Sequence, residues 1–87
     1  MKKVLMFTMA SCPYCRNAHR WMDEIFYEYP EYKAVELEII DETREPDIAN
    51  RYDYYFVPTY YVGGIKRHEG VPQKETVLRV FKEAYEG

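Results

Sequence analysis

Residues 3–8 read KVLMFT, and just beyond them the chain passes through Cys12-Pro13-Tyr14-Cys15 into a stretch of different period. This junction constrains the fold more than any other feature. A short continuous apolar run is the pattern of a strand covered on both faces. Past Pro13, the residues Ala18, Trp21, Met22, Ile25, Phe26 and Tyr29 recur at gaps of three and one, which puts them on one helical face. Arg16, Asn17, Arg20, Asp23, Glu24 and Glu28 fall on the other. Pro13 suits a first helical turn, where its missing N–H costs nothing, and Pro30 marks the exit. A strand therefore hands the chain to a helix, and the only two cysteines sit at the handover.

Residues 35–40, VELEII, alternate with period two, with Val35, Leu37 and Ile39 on one face and Glu36 and Glu38 on the other. That pattern predicts a strand with one wet face at a sheet edge. Pro46 opens a short predicted helix through Ile48, Ala49 and Tyr52. Residues 59–62 and 65–69 flank Gly63-Gly64, a two-residue hairpin signal. Behind Pro72, the residues Val77, Val80, Phe81, Ala84 and Tyr85 recur at helical spacing. The predicted order is β-α-β-α-β-β-α. The first two strands, joined through a helix, are expected to run parallel with a right-handed crossover. The fold class is then α/β, a four-stranded mixed sheet flanked by helices.

A chain of 87 residues has material for one core and is expected to form a single domain over residues 1–87. Its net charge of −3 argues against nonspecific nucleic-acid binding, which needs a basic surface. The apolar run after the two N-terminal lysines is too short for a signal peptide or a membrane span, so no membrane is expected and the location is read as cytoplasmic. Cytoplasmic thiols stay reduced on average, and a close pair is there more often catalytic or metal-binding than a staple. A disulfide between residues this close would also restrict the unfolded chain little. The ten tyrosines are expected to fill core and rim with amphipathic rings.

Cys12 falls at the helix N-cap or first residue, and Cys15 about one turn inside. The unpaired amides and positive dipole end of a helix N-terminus favour a thiolate at Cys12. Cys12 is reachable by a disulfide, and Cys15 is placed to attack back. The expected chemistry is thiol–disulfide exchange, in which Cys12 forms a mixed disulfide and Cys15 resolves it. Two other readings stand beside it: two small hydrophobes at a helix start, or part of a metal site. His19, four residues after Cys15, gives only a third ligand where structural zinc takes four, so a satisfied or solvated helical histidine is expected. His68 reads as an exposed strand residue, and Glu36 with Glu38 as the wet face of the edge strand.

Strand, Cys-Pro-Tyr-Cys and helix together resemble a dithiol glutaredoxin, within the thioredoxin-fold superfamily. FVPTYYVGG, residues 56–64, resembles that family's Val-Pro segment and following glycine pair, and the element order agrees over essentially the whole chain. The resemblance implies a thioredoxin fold and a thiol–disulfide oxidoreductase that reduces protein or glutathione mixed disulfides through a Cys12/Cys15 cycle. It implies a cis Pro58 opposite the cysteines, with the Val57 N–H and C=O turned toward an extended substrate backbone, and Tyr14 flanking a glutathione groove. No bound cofactor is implied, glutathione being reductant or co-substrate. The departures fall on the substrate anchors. Met9 stands where a glutathione-binding lysine is usual, Phe56 replaces a threonine, and Tyr55 replaces a basic or polar residue. Gly70 leads into Val71-Pro72-Gln73-Lys74 where a second glycine pair usually precedes acidic residues, leaving Arg67 or Lys74 to meet a substrate carboxylate. Thioredoxin's own marks are missing too, with Ser11 for a tryptophan and Met6 for a buried acid. The partners expected are protein disulfides and one of two electron donors, glutathione or a thioredoxin-reductase-like flavoprotein of the kind that serves small glutaredoxin-like donors to ribonucleotide reductase. The chain is expected to act as a monomer. A module holding an iron–sulfur cluster or zinc through Cys12 is the reading from another class; Pro13 and the lack of further cysteines weigh against it.

Overall fold

The computed structural model describes residues 1–87. Its elements follow in the order β1 (Val4–Thr8), α1 (Pro13–Glu28), a 3-10 turn (Pro30–Ala34), β2 (Leu37–Asp41), α2 (Pro46–Ala49), β3 (Thr59–Val62), β4 (Ile65–Glu69) and α3 (Lys74–Glu86). The strands form one mixed sheet in the order β2-β1-β3-β4. β1 runs parallel to β2, with Val4 opposite Leu37, and antiparallel to β3, with Met6 opposite Tyr60. β3 and β4 form the hairpin at Gly63-Gly64, whose φ angles of 57° and 84° are the two positive values a type I′ turn demands. The α/β architecture expected of the sequence is the one present.

All five residues of β1 are buried, because alternate side chains feed two cores. Val4 and Met6 join Tyr60 and Val62 beneath α1 and α3, which contribute Ala18, Met22 and Ile25, and Val77, Val80, Phe81 and Ala84. Leu5 and Phe7 face the other way, with Ile40, Ala49 and Tyr61. α2 is only four residues long, too short to cover that face. Tyrosines complete the cover: the Phe7 ring lies 4.6 Å from Tyr54, 4.9 Å from Tyr52 and 5.9 Å from Tyr61, centroid to centroid. The Tyr54 hydroxyl donates to Glu42 at 2.9 Å and that of Tyr61 to the Asp53 carbonyl at 2.8 Å, so ring bodies are buried while their polar tips are satisfied.

Four local expectations are revised. Strand β2 begins at Leu37, and Val35 is buried ahead of it. Ile39 was expected inside with Leu37 but is 43% exposed, whereas Ile40 is 1% exposed. Pairing with β1 explains Ile40, which stands opposite Phe7 on the tyrosine-covered face, while Ile39 lines an open cavity. α2 ends at Ala49 because Tyr52 packs on Phe7 and does not continue the helix. Pro30 marks the exit from α1 as expected, and it begins a 3-10 turn whose Tyr32 stacks on Tyr29 at 5.4 Å and meets Tyr85 of α3 at 5.3 Å. Finally, His68 is half-buried, with Nε2 2.9 Å from the Gly70 carbonyl oxygen. No helix is long and apolar enough to cross a membrane.

Phe7→Ala is expected to cost about 3–5 kcal/mol, read as a lower denaturant midpoint at unchanged slope. Tyr27, 87% exposed, tests the contrast: Tyr27→Ala is expected to stay within about 0.5 kcal/mol.

Candidate active site

Cys12 is the N-cap of α1, with φ −88° and ψ 117°. Its N–H donates to the Met9 carbonyl at 3.1 Å, which closes the turn leaving β1. Its Sγ accepts the Cys15 N–H at 3.3 Å, in the place an N-cap oxygen would take. Pro13 follows as the first helical residue, and no acidic side chain lies in the first turn to offset the positive helix end. Both cysteines are free thiols, Cys12 7% exposed and Cys15 1%.

The two thiols are unequal. Burial pushes the Cys15 thiol up to about 11, and the neighbouring Cys12 adds to the rise; hydrogen bonds from the Thr8 side chain and the Met9 backbone oppose it. Cys15 is therefore a protonated thiol at neutral pH.

Opposite the pair, the Val57–Pro58 peptide is cis. The Cys12 thiol lies 3.7 Å from the Val57 carbonyl oxygen, its acceptor, and the Val57 N–H makes no hydrogen bond within the chain. The fold thus brings Cys12, Cys15, Val57 and Pro58 together from α1 and the approach to β3. Tyr14 is exposed in the first turn of α1 and its side chain makes no hydrogen bond.

A set of supporting residues holds the 55–58 segment. The Glu69 carboxylate accepts the Tyr55 N–H at 2.6 Å and the Phe56 N–H at 3.1 Å. Lys66 bonds the same carboxylate at 2.7 Å, and this bond, followed by those two amides, holds Glu69 down to about 2. The Thr59 hydroxyl donates to the Phe56 carbonyl, and the Gly70 N–H donates to that of Pro58 at 3.0 Å. Glu69 carried no signal in the sequence, because only hairpin pairing sets it opposite Thr59. The cations suggested for a substrate carboxylate are engaged elsewhere. Lys74 meets Glu24 at 2.9 Å and Glu28 at 2.5 Å, and Arg67 meets Glu83 at 2.9 Å.

Cys15 also lines a cavity of about 560 Å³ that opens to solvent, together with Met9, Arg16, His19, Ile39, Asp41 and Arg44 among others. His19, half-buried there, places Nε2 3.2 Å from the Thr8 hydroxyl. No group of three or more His, Cys, Asp or Glu side chains is arranged to hold a metal ion.

Residues 2–82 match the thioredoxin domain family. The chain belongs to the thioredoxin family. It is 35% identical over 80 residues to a thioredoxin of Methanocaldococcus jannaschii, covering 92% of each chain. A probable thioredoxin of Methanothermobacter marburgensis is 29% identical over 84 residues, covering 97% of this chain and 96% of its own. Among solved structures, oxidized thioredoxin O1 of Arabidopsis thaliana superposes with a TM-score of 0.67 at 26% identity, over 95% of this chain and 76% of that one. Oxidised thioredoxin of Plasmodium falciparum shares the fold, with a TM-score of 0.71 at 13% identity, over 94% and 79% of the two chains. The thioredoxin fold and a close cysteine pair fit thiol–disulfide oxidoreductase chemistry.

Two measurements address this thioredoxin-family site. In the reduced protein, iodoacetamide near neutral pH is expected to alkylate Cys12 first. Cys15 is expected to react only as the pH climbs toward about 11, with mass spectrometry locating the label. Glu69, its carboxyl depressed, contributes its hold fully above the ordinary carboxylate range and loses it as the pH falls toward about 2. The Tyr55 and Phe56 amide resonances are expected to shift in that window and to be displaced already at neutral pH in Glu69→Gln.

Proposed function

We propose that this protein reduces protein disulfides through a Cys12/Cys15 dithiol–disulfide cycle, with electrons supplied by a thioredoxin-reductase-like flavoprotein. One observation carries the reading: Cys12 Sγ caps α1 by accepting the Cys15 N–H, beside the Val57 carbonyl and opposite cis Pro58. Cys12 as thiolate attacks a substrate sulfur, the substrate S–S bond breaks, and one substrate thiol leaves. Cys15 then attacks Cys12 in the mixed disulfide and releases the second. The reductase returns the Cys12–Cys15 disulfide to the dithiol. An extended substrate segment would pair with the Val57 N–H and C=O as an added strand does, and Tyr14 would wall the groove beside it.

The rim favours a protein substrate. Tyr55, Phe56 and Val71 are 85%, 68% and 63% exposed, and they adjoin Val57 and Gly70 along the chain. Large apolar side chains left in solvent beside a reactive thiol suit a macromolecular partner better than a small charged one. The donor assignment rests on Met9 in the place of a lysine, on the engagement of Arg67 and Lys74 by glutamates, and on kinship with proteins named thioredoxin. Glutathione as donor or co-substrate, in a glutaredoxin-type cycle, is the second reading, favoured by Cys-Pro-Tyr-Cys itself. Neither cycle needs a resident cofactor or a second copy of the chain. Both belong in a reducing compartment such as the cytoplasm.

Disulfide reduction coupled in parallel to thioredoxin reductase and to glutathione with its reductase tests both readings. Turnover with the flavoprotein, abolished in Cys12→Ser, is the expected result. Turnover only with glutathione installs the second reading, and none with either donor overturns the enzyme assignment. Cys15→Ser is expected to accumulate the mixed disulfide on Cys12, visible by mass spectrometry.

A further inference from the structure

The cycle proposed above needs a thiolate at Cys15, and Cys15 is 1% exposed in an apolar surrounding. Cys15 lines the solvent-open cavity together with Thr8 and His19, so the way out for its proton lies on that side. The core beneath it, from Met6 to Ala84, is made of apolar and tyrosine side chains and holds no carboxylate. The Tyr60 hydroxyl on β3 is buried without a hydrogen-bond partner, and burial keeps it protonated, so it offers no base. Besides the Cys12 thiol and the Met9 backbone, the group that bears on the thiol is the hydroxyl of Thr8, at the end of β1, which lines the same cavity. Thr8 is itself buried, and its Oγ1 stands 3.2 Å from Nε2 of His19. His19 lies four residues beyond Cys15 on α1 and lines the solvent-open cavity.

We propose that His19 is the proton acceptor for Cys15, reached through the hydroxyl of Thr8. This rests on the dithiol cycle and assigns to that cycle a residue outside the cysteine pair. The imidazole acts as the tautomer protonated on Nδ1, with the Nε2 lone pair toward Thr8. The Cys15 proton passes to Thr8 Oγ1 as the hydroxyl's own proton passes to Nε2. The Cys15 thiolate attacks Cys12 Sγ, the bond between Cys12 and the substrate sulfur breaks, and its electron pair departs on that sulfur, which takes a proton from solvent. The Cys12–Cys15 disulfide has then formed, and the imidazolium releases its proton into the cavity.

The charges around His19 allow this. Arg16 on α1, Asp41 on β2, and Arg44 and Glu45 just after β2 line the same cavity, two cations against two anions. Asp41 is occupied by the Thr43 N–H at 2.9 Å and the Thr43 hydroxyl at 2.5 Å, which hold it ionised and below the usual carboxylate range. Asp23, one turn further along α1, and Arg20 beside His19 in sequence are exposed.

The test uses the reduced full chain mixed with an aromatic disulfide whose thiol absorbs when released. A first phase reports attack by Cys12 and a second reports resolution by Cys15. In the wild type the second-phase rate is expected to bend within about pH 5 to 8, where an imidazole changes state. His19→Gln, which keeps a hydrogen-bonding partner for Thr8 but cannot take the proton, is expected to slow the second phase at pH 7 by roughly 100-fold and to remove the bend. Thr8→Val, which breaks the link, is expected to do the same. Both variants should recover as the pH approaches about 11, where Cys15 ionises unaided. His68→Gln, the other histidine, is expected to match the wild type. A wild-type second phase rising through that range without a bend overturns the proposal and needs no variant; so does an unaltered second phase in both variants. Absence of the first phase overturns the oxidoreductase reading instead, so the two failures are distinguishable.

Discussion

The structure depends on β1 being buried along its whole length. A strand flanked by neighbours on both edges and covered on both faces has no freedom of register, since a slip of one residue would exchange the two cores. Its last residue, Thr8, is therefore a fixed point, and a single hydrogen bond from Cys12 to Met9 closes the turn that follows. Helix α1 has to begin there, and with Pro13 as its first residue the N-cap falls to Cys12. The Cys12 sulfur is placed by a strand buried along its whole length, and the Cys15 amide that contacts it belongs to the first turn of α1.

The opposite wall is held differently. The cis Val57–Pro58 peptide lies outside any helix or strand, at the end of a stretch packed through its tyrosines onto Phe7. Glu69 links that stretch to β4 through two backbone amides, and Lys66 holds the carboxylate in place. These contacts are exposed and individually weak, but they converge on the residues just before Val57. Aromatic packing and one charged clamp position the Val57 backbone proposed to meet substrate, in place of a long helix.

Much of this was legible in the sequence because it is encoded locally. The shift from an apolar run to helical spacing marks β1 and α1, the glycine pair marks the hairpin, and Val-Pro after Cys-Pro-Tyr-Cys marks the two walls of the site. What escaped depends on contacts between distant segments. Ile39 and Ile40 both look apolar, and only pairing with β1 decides that Ile40 is covered and Ile39 is not. Tyr32 becomes a core residue because α3, some fifty residues later, packs over it through Tyr85. His19 reads along its own helix as a lone histidine; its meaning changes when Thr8 arrives from the neighbouring strand. Arg67 and Lys74 read as available cations until Glu83, Glu24 and Glu28 are brought alongside them.

In the proposed cycle, burial is what gives the two cysteines different work. A thiol near the surface at a helix start can meet a large substrate, whereas a thiol one turn inside is protected from that substrate and from premature oxidation by it. The same burial opposes ionisation of the inner thiol, so protection and reactivity conflict at Cys15. An acid buried in the core would meet this need at the cost of placing a charge among apolar side chains. This chain has Met6 there and keeps its titratable groups at the cavity wall, where solvent supports their charge. Joining a dry core to a wet cavity then takes one small hydroxyl at the boundary, and Thr8, the last residue of the buried strand, is the residue in that position.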